Sequence, residues 1–138
     1  MRAITKPAAK ILDLLTADLL PLDADGATAK RVGEKGGAFM QVVVERLDEE
    51  TYSVAHYYEQ NGDLMRDPEM VFLKGCDGQW YPISFRQDGT GTDQTSAEKD
   101  PARGWLVAPR LQAEHARFAS MWMRNIRAQQ HAFFAKVA

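Results

Sequence analysis

Cysteine is almost missing from this sequence, since Cys76 is the only one in 138 residues. A single thiol excludes an intramolecular disulfide and a zinc site made of several cysteines. No apolar run approaches the roughly 18 residues that a membrane-spanning helix requires. The first residues, Met1 to Pro7, lack the apolar core and cleavage site of a signal peptide. These absences predict a cytoplasmic protein that does not associate with membranes.

A strong net charge is also lacking. The chain carries a net charge of −2, which excludes a global electrostatic attraction to nucleic acid or to a membrane surface. Hydrophobic residues make up 45% and charged residues 26%, which is typical of a globular protein. A chain of 138 residues has room for one core, so we predict a single domain over residues 1–138.

Glycine clusters in residues 21–38 without forming a phosphate-binding motif. Lys35 precedes Gly36, but no Ser or Thr follows it to hold a metal ion, and no predicted strand precedes the segment. We interpret these residues as a connection. No cofactor and no metal ion is predicted for the chain.

Two helices are predicted, one near each end of the chain. Residues 7–20 begin with Pro7, which suits a first helical turn, and repeat leucine and isoleucine with a period near 3.6. Residues 109–136 form a longer helix with an apolar stripe of Leu111, Phe118, Trp122, Ile126 and Phe133. Met123 and Phe134 fall outside that stripe, which predicts an edge that faces a partner.

Four strands are predicted between the helices, at residues 39–47, 52–60, 64–73 and 80–86. They are joined by two-residue turns at Glu49-Glu50, Asn61-Gly62 and Asp77-Gly78. Residues 87–106 are rich in glycine and threonine and are expected to form a long mobile loop. The predicted fold class is α+β: a four-stranded antiparallel meander packed on one face by the N-terminal helix and the long C-terminal helix.

The predicted turns specify which side chains share a face of the sheet. Alternation along each strand places one mainly apolar set toward the helices: Met40, Val42, Val44, Ala55, Tyr57, Met70, Phe72, Tyr81, Ile83 and Phe85. A slip of one residue would move a whole strand to the other face. Because proline cannot donate to a ladder, a bulge at Pro68 is the main threat to this register.

The opposite face carries polar residues that suggest a surface for binding. In the predicted register His56 lies opposite Asp67, and Glu69 lies opposite Arg86. One interpretation is a set of solvated cross-strand pairs, which stabilise a sheet modestly. The functional interpretation is a groove that binds an unidentified protein partner, lined by His56, Tyr58, Asp67, Glu69 and Arg86.

An enzymatic interpretation rests on His56, Asp67 and Glu69. A histidine held by a carboxylate can act as a general base or bind a metal ion. However, the sequence shows no nucleophile beside these residues and no second histidine near them. The prediction therefore leans towards a protein without catalytic residues, with a metal-dependent or acid–base enzyme as the alternative.

The C-terminal helix offers a third interpretation. Arg117, Arg124 and Arg127 lie on roughly the side opposite the apolar stripe. Arginines on one helix face usually form a solvated surface, but they also contact phosphate groups in nucleic acids. Nucleic-acid binding therefore remains an alternative function.

Part of the chain resembles an uncharacterised family of small bacterial domains. The similarity rests on the run from His56 to Asp63, on Asp67-Pro68-Glu69-Met70, on Trp80-Tyr81-Pro82 and on Arg86-Gln87-Asp88. Families of this kind occur on plasmids, phages and integrated mobile elements. The resemblance carries no known activity. It implies an accessory protein of a mobile element and favours an interaction or inhibitor role over metabolism.

Overall fold

A computed structural model of the chain describes residues 1–21 and 28–137. Part of the predicted 21–38 connection thus lies outside the described residues. The regular elements, in chain order, are α1 (Lys6–Thr16), β1 (Ala29–Val32), β2 (Val42–Arg46), β3 (Thr51–Gln60), β4 (Asp63–Lys74), β5 (Trp80–Gln87), a 3-10 turn (Asp88–Thr90), β6 (Thr92–Thr95), β7 (Ala97–Asp100), β8 (Gly104–Val107), α2 (Pro109–Gln129) and α3 (His131–Val137). The α+β class is confirmed.

The main sheet is an antiparallel meander of six strands in the order β1 to β6, and not of four. The four predicted strands correspond to β2, β3, β4 and β5. The two edge strands are four residues each and mostly polar, Ala29–Val32 and Thr92–Thr95, so they lack the alternation that marks a strand in a sequence. Pairing with a long neighbour, rather than their own propensity, makes them strands.

The helices cover one face of this sheet, which we call the inner face. Thr5 caps α1 by accepting a hydrogen bond from the backbone N–H of Ala8, and Pro7 stands in the first turn. α1 packs beside α2 and against β2, while α2 packs against β5. The buried Gln112 amide ties the layers together, because it donates to Arg2 O and to Pro82 O.

The predicted C-terminal helix is two helices, since α2 ends at Gln129 and α3 begins at His131. The change of direction turns Phe134 inward, where it is buried in the core with Met123. The prediction that these two residues form a partner-facing edge is therefore wrong. The predicted stripe residues Trp122 and Ile126 are in the core.

Two of the three predicted turns contain one more residue than expected. In each case an aspartate closes the wider turn: Asp48 Oδ1 accepts from the backbone N–H of Glu50 and Thr51, and Asp77 Oδ1 accepts from that of Gln79. The Asn61-Gly62 turn has the two residues predicted, and φ is positive at both positions.

Two bulges interrupt the ladders. His56 on β3 faces two residues of β4, Asp67 and Pro68, whose peptide bond is cis. Ile83 is the extra residue of β5 where it pairs with β4. The bulge at Pro68, named above as the main threat to the predicted register, is therefore present, and the predicted pairing of Glu69 with Arg86 is confirmed.

The turns and bulges together decide which residues face the helices. The wider Asp48 turn shifts β3 by one residue, so the predicted core positions Ala55 and Tyr57 lie on the outer face. The bulge opposite His56 then offsets this shift, so the side chains of β4 face the predicted sides of the sheet. Met70 and Phe72 therefore lie in the core, as predicted. The inner face carries Val42, Val44, Tyr52, Val54, His56, Met70, Phe72, Trp80, Pro82 and Phe85.

Residues 87–106, predicted as a long loop, contain the 3-10 turn and three short strands. β7 and β8 pair with each other as a two-stranded ribbon. Trp105 on this ribbon shares a groove with the outer-face residues Leu73 and Tyr81, and Leu73 is buried. The ribbon therefore covers one end of the outer face and leaves the other end open.

Candidate functional site

His56 lies on the inner face, packed against the helix layer. Its ring meets the Trp122 ring edge-on with centroids 5.5 Å apart, and the residue is 5% exposed. Within the described residues its Nε2 atom has no hydrogen-bond partner. Burial lowers the pKa of His56, and the nearby carboxylate of Asp67 opposes that shift. The sequence predicted His56 on the open face, and this placement is wrong because of the shift at the Asp48 turn.

A second histidine, His115 on α2, is also buried and neutral. Its Nε2 lies 3.0 Å from Gln94 Oε1, and its Nδ1 lies 2.9 Å from Ser96 Oγ. An amide oxygen only accepts, so Nε2 donates to Gln94 and Nδ1 accepts from the Ser96 hydroxyl. Burial lowers the pKa of His115 below its ordinary value, with Glu114 opposing. Both contacts belong to a structural histidine.

Asp67 lies within the bulge, whereas Tyr58, two residues along β3 from His56, lines an open groove that does not include Glu69. Asp67 Oδ1 accepts a hydrogen bond of 2.8 Å from Gln87 Nε2. The Tyr58 hydroxyl lies so close to Gly89 that a methyl group at that glycine would approach it to 2.8 Å. Of the five predicted binding residues, only Glu69 and Arg86 lie together on the outer face, as the predicted register has them.

The outer face instead gathers a charged network of Tyr57, Arg66, Glu69, Arg86 and Asp88. Asp88 stands at its centre: one carboxylate oxygen accepts from the backbone N–H of Arg66 at 2.8 Å, and the other from Arg86 Nε at 3.0 Å. Arg66 Nε lies 3.4 Å from Glu69 Oε1. That nitrogen is buried without an aligned hydrogen-bond acceptor among the described residues, so the contact is an ion pair rather than a hydrogen bond.

The contacts in the network shift the pKa values of Asp88 and Tyr57. The backbone N–H of Arg66 and the guanidinium of Arg86 hold the pKa of Asp88 below its usual value. Burial and the adjacent Glu69 carboxylate raise the pKa of Tyr57, whose hydroxyl lies 3.5 Å from Glu69 Oε2. Two arginines thus balance two carboxylates, and a neutral phenol stands beside them. This arrangement is suited to holding the strands in place and not to proton transfer.

An open groove of about 370 Å³ lies beside this network, at the uncovered end of the outer face. We call it the sheet groove. One wall is formed by Val43, Tyr57, Tyr58 and Leu64 of the sheet, and the other by Glu34 and residues 36–41, in the segment that links β1 to β2. Phe39, Met40 and Leu64 line it while remaining 51%, 40% and 61% exposed.

Residues 33–41 are held by one hydrogen bond from the helix layer and one within the segment. Gln130 Nε2, at the junction of α2 and α3, donates to Met40 O, and Gln41 Nε2 donates to Gly33 O. Gly33 has φ of +106°, and a side chain there would collide with the Gln130 amide. The wall of the groove is therefore built on contacts with the helix layer.

The three arginines of the nucleic-acid interpretation are all exposed on α2. They lie on the helix layer, away from the outer face that carries the sheet groove. The sequence predicted both their helix and their exposure.

The arrangement does not bring together the three residues of the alternative, enzymatic interpretation. His56 faces the helices, whereas Glu69 lies on the outer face. Across residues 1–21 and 28–137, no three His, Cys, Asp or Glu side chains come together as metal ligands. None of the helices in those ranges is long and apolar enough to cross a membrane.

Residues 13–132 match the family model described as "Domain of unknown function (DUF6908)". The match covers most of the chain, so the protein belongs to this family, and the predicted membership of an uncharacterised family is confirmed. No curated protein and no solved structure matches the chain.

The sequence prediction missed Asp88, Arg66 and all of the sheet groove except Tyr58. Asp88 was assigned to a loop, although an aspartate before Gly89 is a common way of closing a turn. Phe39, Met40 and Leu64 carried a usable signal: they are large apolar residues at the ends of predicted strands, beside turns rich in glycine.

Proposed function

We propose that the protein is a non-catalytic binding module whose sheet groove takes an apolar side chain of a protein partner. The observation that carries this proposal is the placement of Phe39, Met40 and Leu64. These three large apolar side chains are exposed to water and line one concave surface. Apolar residues gathered in this way commonly mark a protein interaction site.

The shape of the groove favours a protein partner over a sequestered small molecule. It is open along its length, between the sheet and residues 33–41, so it cannot enclose a ligand as a typical small-molecule pocket does. Fully burying one leucine or phenylalanine contributes roughly 1.5–3 kcal/mol, which is enough for such a side chain to act as an anchor.

The charges at the groove indicate what flanks that anchor. Glu34 and Glu59 line it together with Arg31. The residues that line the groove thus carry one more negative than positive charge. We therefore propose a partner segment in which an apolar residue is flanked by lysine or arginine, because complementary charges speed association and select the partner.

The resemblance described above extends the proposal to an accessory role on a mobile element. This extension predicts that genes for integration, conjugation or phage assembly lie beside the gene for this protein. Neighbouring genes for a single metabolic pathway would speak against it.

The test uses peptides selected from a random display library against the wild-type protein. We expect enrichment of sequences with a large apolar residue beside basic residues. Leu64→Asp should weaken the selected peptide at least tenfold, or about 1.4 kcal/mol, by placing a charge in the groove. Fluorescence anisotropy with the synthetic peptide measures both affinities.

Leu106→Asp is the matched control, since Leu106 is an exposed leucine on the β7–β8 ribbon. It should leave peptide binding within about twofold of wild type, as expected of an interface that depends on a few residues. Thermal melts establish that both variants are folded. Equal losses in the two variants, or no enriched peptide at all, would overturn the proposal.

A further inference from the structure

Ionisable side chains are unevenly divided between the helices and the rest of the molecule. The three helices carry seven basic residues, Lys6, Lys10, Arg110, Arg117, Arg124, Arg127 and Lys136, but only two acidic ones, Asp13 and Glu114. Their net charge is therefore +5, and because the whole chain carries −2, the remaining residues carry −7. A nearly neutral protein thus has one strongly basic layer.

Three of the arginines form a straight row. Arg110, Arg117 and Arg124 follow one another at intervals of seven residues, close to two helical turns. They therefore lie along one line of α2, roughly 10.5 Å apart at 1.5 Å rise per residue. All three are exposed. Lys6 and Lys10 are exposed one turn apart on α1, which packs beside α2.

The positive charge of this arginine row is not neutralised by the parts of the chain that the structure describes. The ion pairs found there involve Lys30, Lys74, Arg66 and Arg86, none of them on a helix. Glu114 stands within one turn of both Arg110 and Arg117 and forms an ion pair with neither.

We infer that this helical surface binds the phosphate backbone of duplex DNA without reading its sequence. The row is preorganised on a rigid helix, which suits the regular phosphate array of a duplex. Single strands are usually held by stacking on aromatic side chains. The exposed residues around the row include Glu114, Met121, Asn125 and Arg127, and none of them is aromatic. The acidic remainder of the molecule would point the helices at the DNA.

The test measures binding of a short, fluorescein-labelled DNA duplex of mixed sequence by anisotropy, with the full chain. We expect the logarithm of the association constant to fall linearly with the logarithm of salt between about 50 and 200 mM. A slope near −3 corresponds to release of about three counterions by the row. Arg117→Glu with Arg124→Glu should lower affinity at least tenfold, whereas Arg117→Lys with Arg124→Lys should largely preserve it.

Lys99→Glu with Arg103→Glu is the matched control. It makes the same change in net charge on exposed residues of the ribbon segment, away from the helices. Affinity within twofold of wild type is expected. Equal loss in both double variants would show attraction to the overall charge and overturn the inference. No binding at about 50 mM salt, or tighter binding to the single strand of the same sequence, would overturn it as well.

Discussion

The two faces of the same sheet are built on opposite principles. On the inner side, the buried ionisable groups are two histidines, His56 on the sheet and His115 on α2, whose pKa values are lowered by burial. On the outer face, charge is compensated: Glu69 and Asp88 are paired with Arg66 and Arg86 at the edge of an apolar groove. The apolar side chains of the inner face are packed in the core, whereas some of those on the outer face are exposed to solvent.

The difference separates residues that hold the fold from residues that are available to a partner. From residue type alone, a histidine or a tyrosine could equally well hold the fold together or contact a partner. Here one position of offset along β3 decides the matter, because His56 meets Trp122 while Tyr57 meets Glu69. A function can be assigned to such residues only after each has been placed on one face of the sheet.

The largest expected effect comes from placing a carboxylate on each face in turn. Val54→Asp puts it on the inner face at a fully buried position, whereas Val43→Asp puts it on the half-buried outer face. An unpaired buried charge costs about 3–5 kcal/mol, much of the stability of a domain of this size. Urea denaturation should show that loss for Val54→Asp and a change of at most about 1 kcal/mol for Val43→Asp.

The same pair of variants can also show that the two faces of the sheet have been assigned wrongly. In the register predicted from the two-residue turns, Val54 belongs to the outer face. A stable Val54→Asp protein would therefore support that predicted register, and the sheet groove could not exist as described.

A smaller effect is expected from mild acid, which should act on the inner face alone. Because the folded pKa values of His56 and His115 are lowered, the unfolded chain binds more protons as pH falls through about 6.5. Stability is present above that pH and decreases below it, by at most about 1.4 kcal/mol per pH unit for each histidine.

The outer network should not contribute in that range. The pKa of Asp88 is lowered, so its contribution persists above the ordinary aspartate value and is lost only as pH falls through the lower folded value. Urea denaturation from pH 7.5 to 5 measures the slope. His56→Gln with His115→Gln should flatten it, and an unchanged slope in that variant would place the titrating groups elsewhere.

The smallest effect is expected from opening the charged network. Asp88→Ala removes the acceptor of Arg66 N–H and the partner of both arginines. Its thermal midpoint should fall by more than that of Asp93→Ala, an exposed aspartate on the neighbouring strand across from Arg86. Since pairs at a surface contribute little, the drop should stay well below that of Val54→Asp. A drop in the Asp93 variant alone would show that the network is incidental.

The sequence predicts the class of fold well and the faces of the sheet only in part. Both helices, the four central strands, the Asn61-Gly62 turn and the bulge at Pro68 follow from local chemistry. The edge strands do not follow from local chemistry, because they form by pairing with the neighbouring strands. The lengths of the turns at Asp48 and Asp77 were predicted wrongly, because an aspartate side chain can close a turn of either length.

The candidate site was harder to predict than the fold. The predicted pairing of Glu69 with Arg86 holds because the bulge at Ile83 offsets the extra residue of the Asp77 turn. The order of the strands brings Tyr57, Arg66 and Asp88 to the same place. The sheet groove depends on residues 33–41, whose position is set by Gln130 some ninety residues further along the chain. Periodicity and turn patterns contain no information about that contact.

The assignment of the faces is the claim on which the proposed binding surface depends, and a nuclear Overhauser spectrum tests it directly. The structure predicts cross-peaks between the ring protons of His56 and Trp122, whose centroids lie 5.5 Å apart. It predicts none between Tyr57 and Trp122, which lie on opposite sides of the sheet. Cross-peaks from Tyr57 to Trp122, with none from His56, would contradict the account.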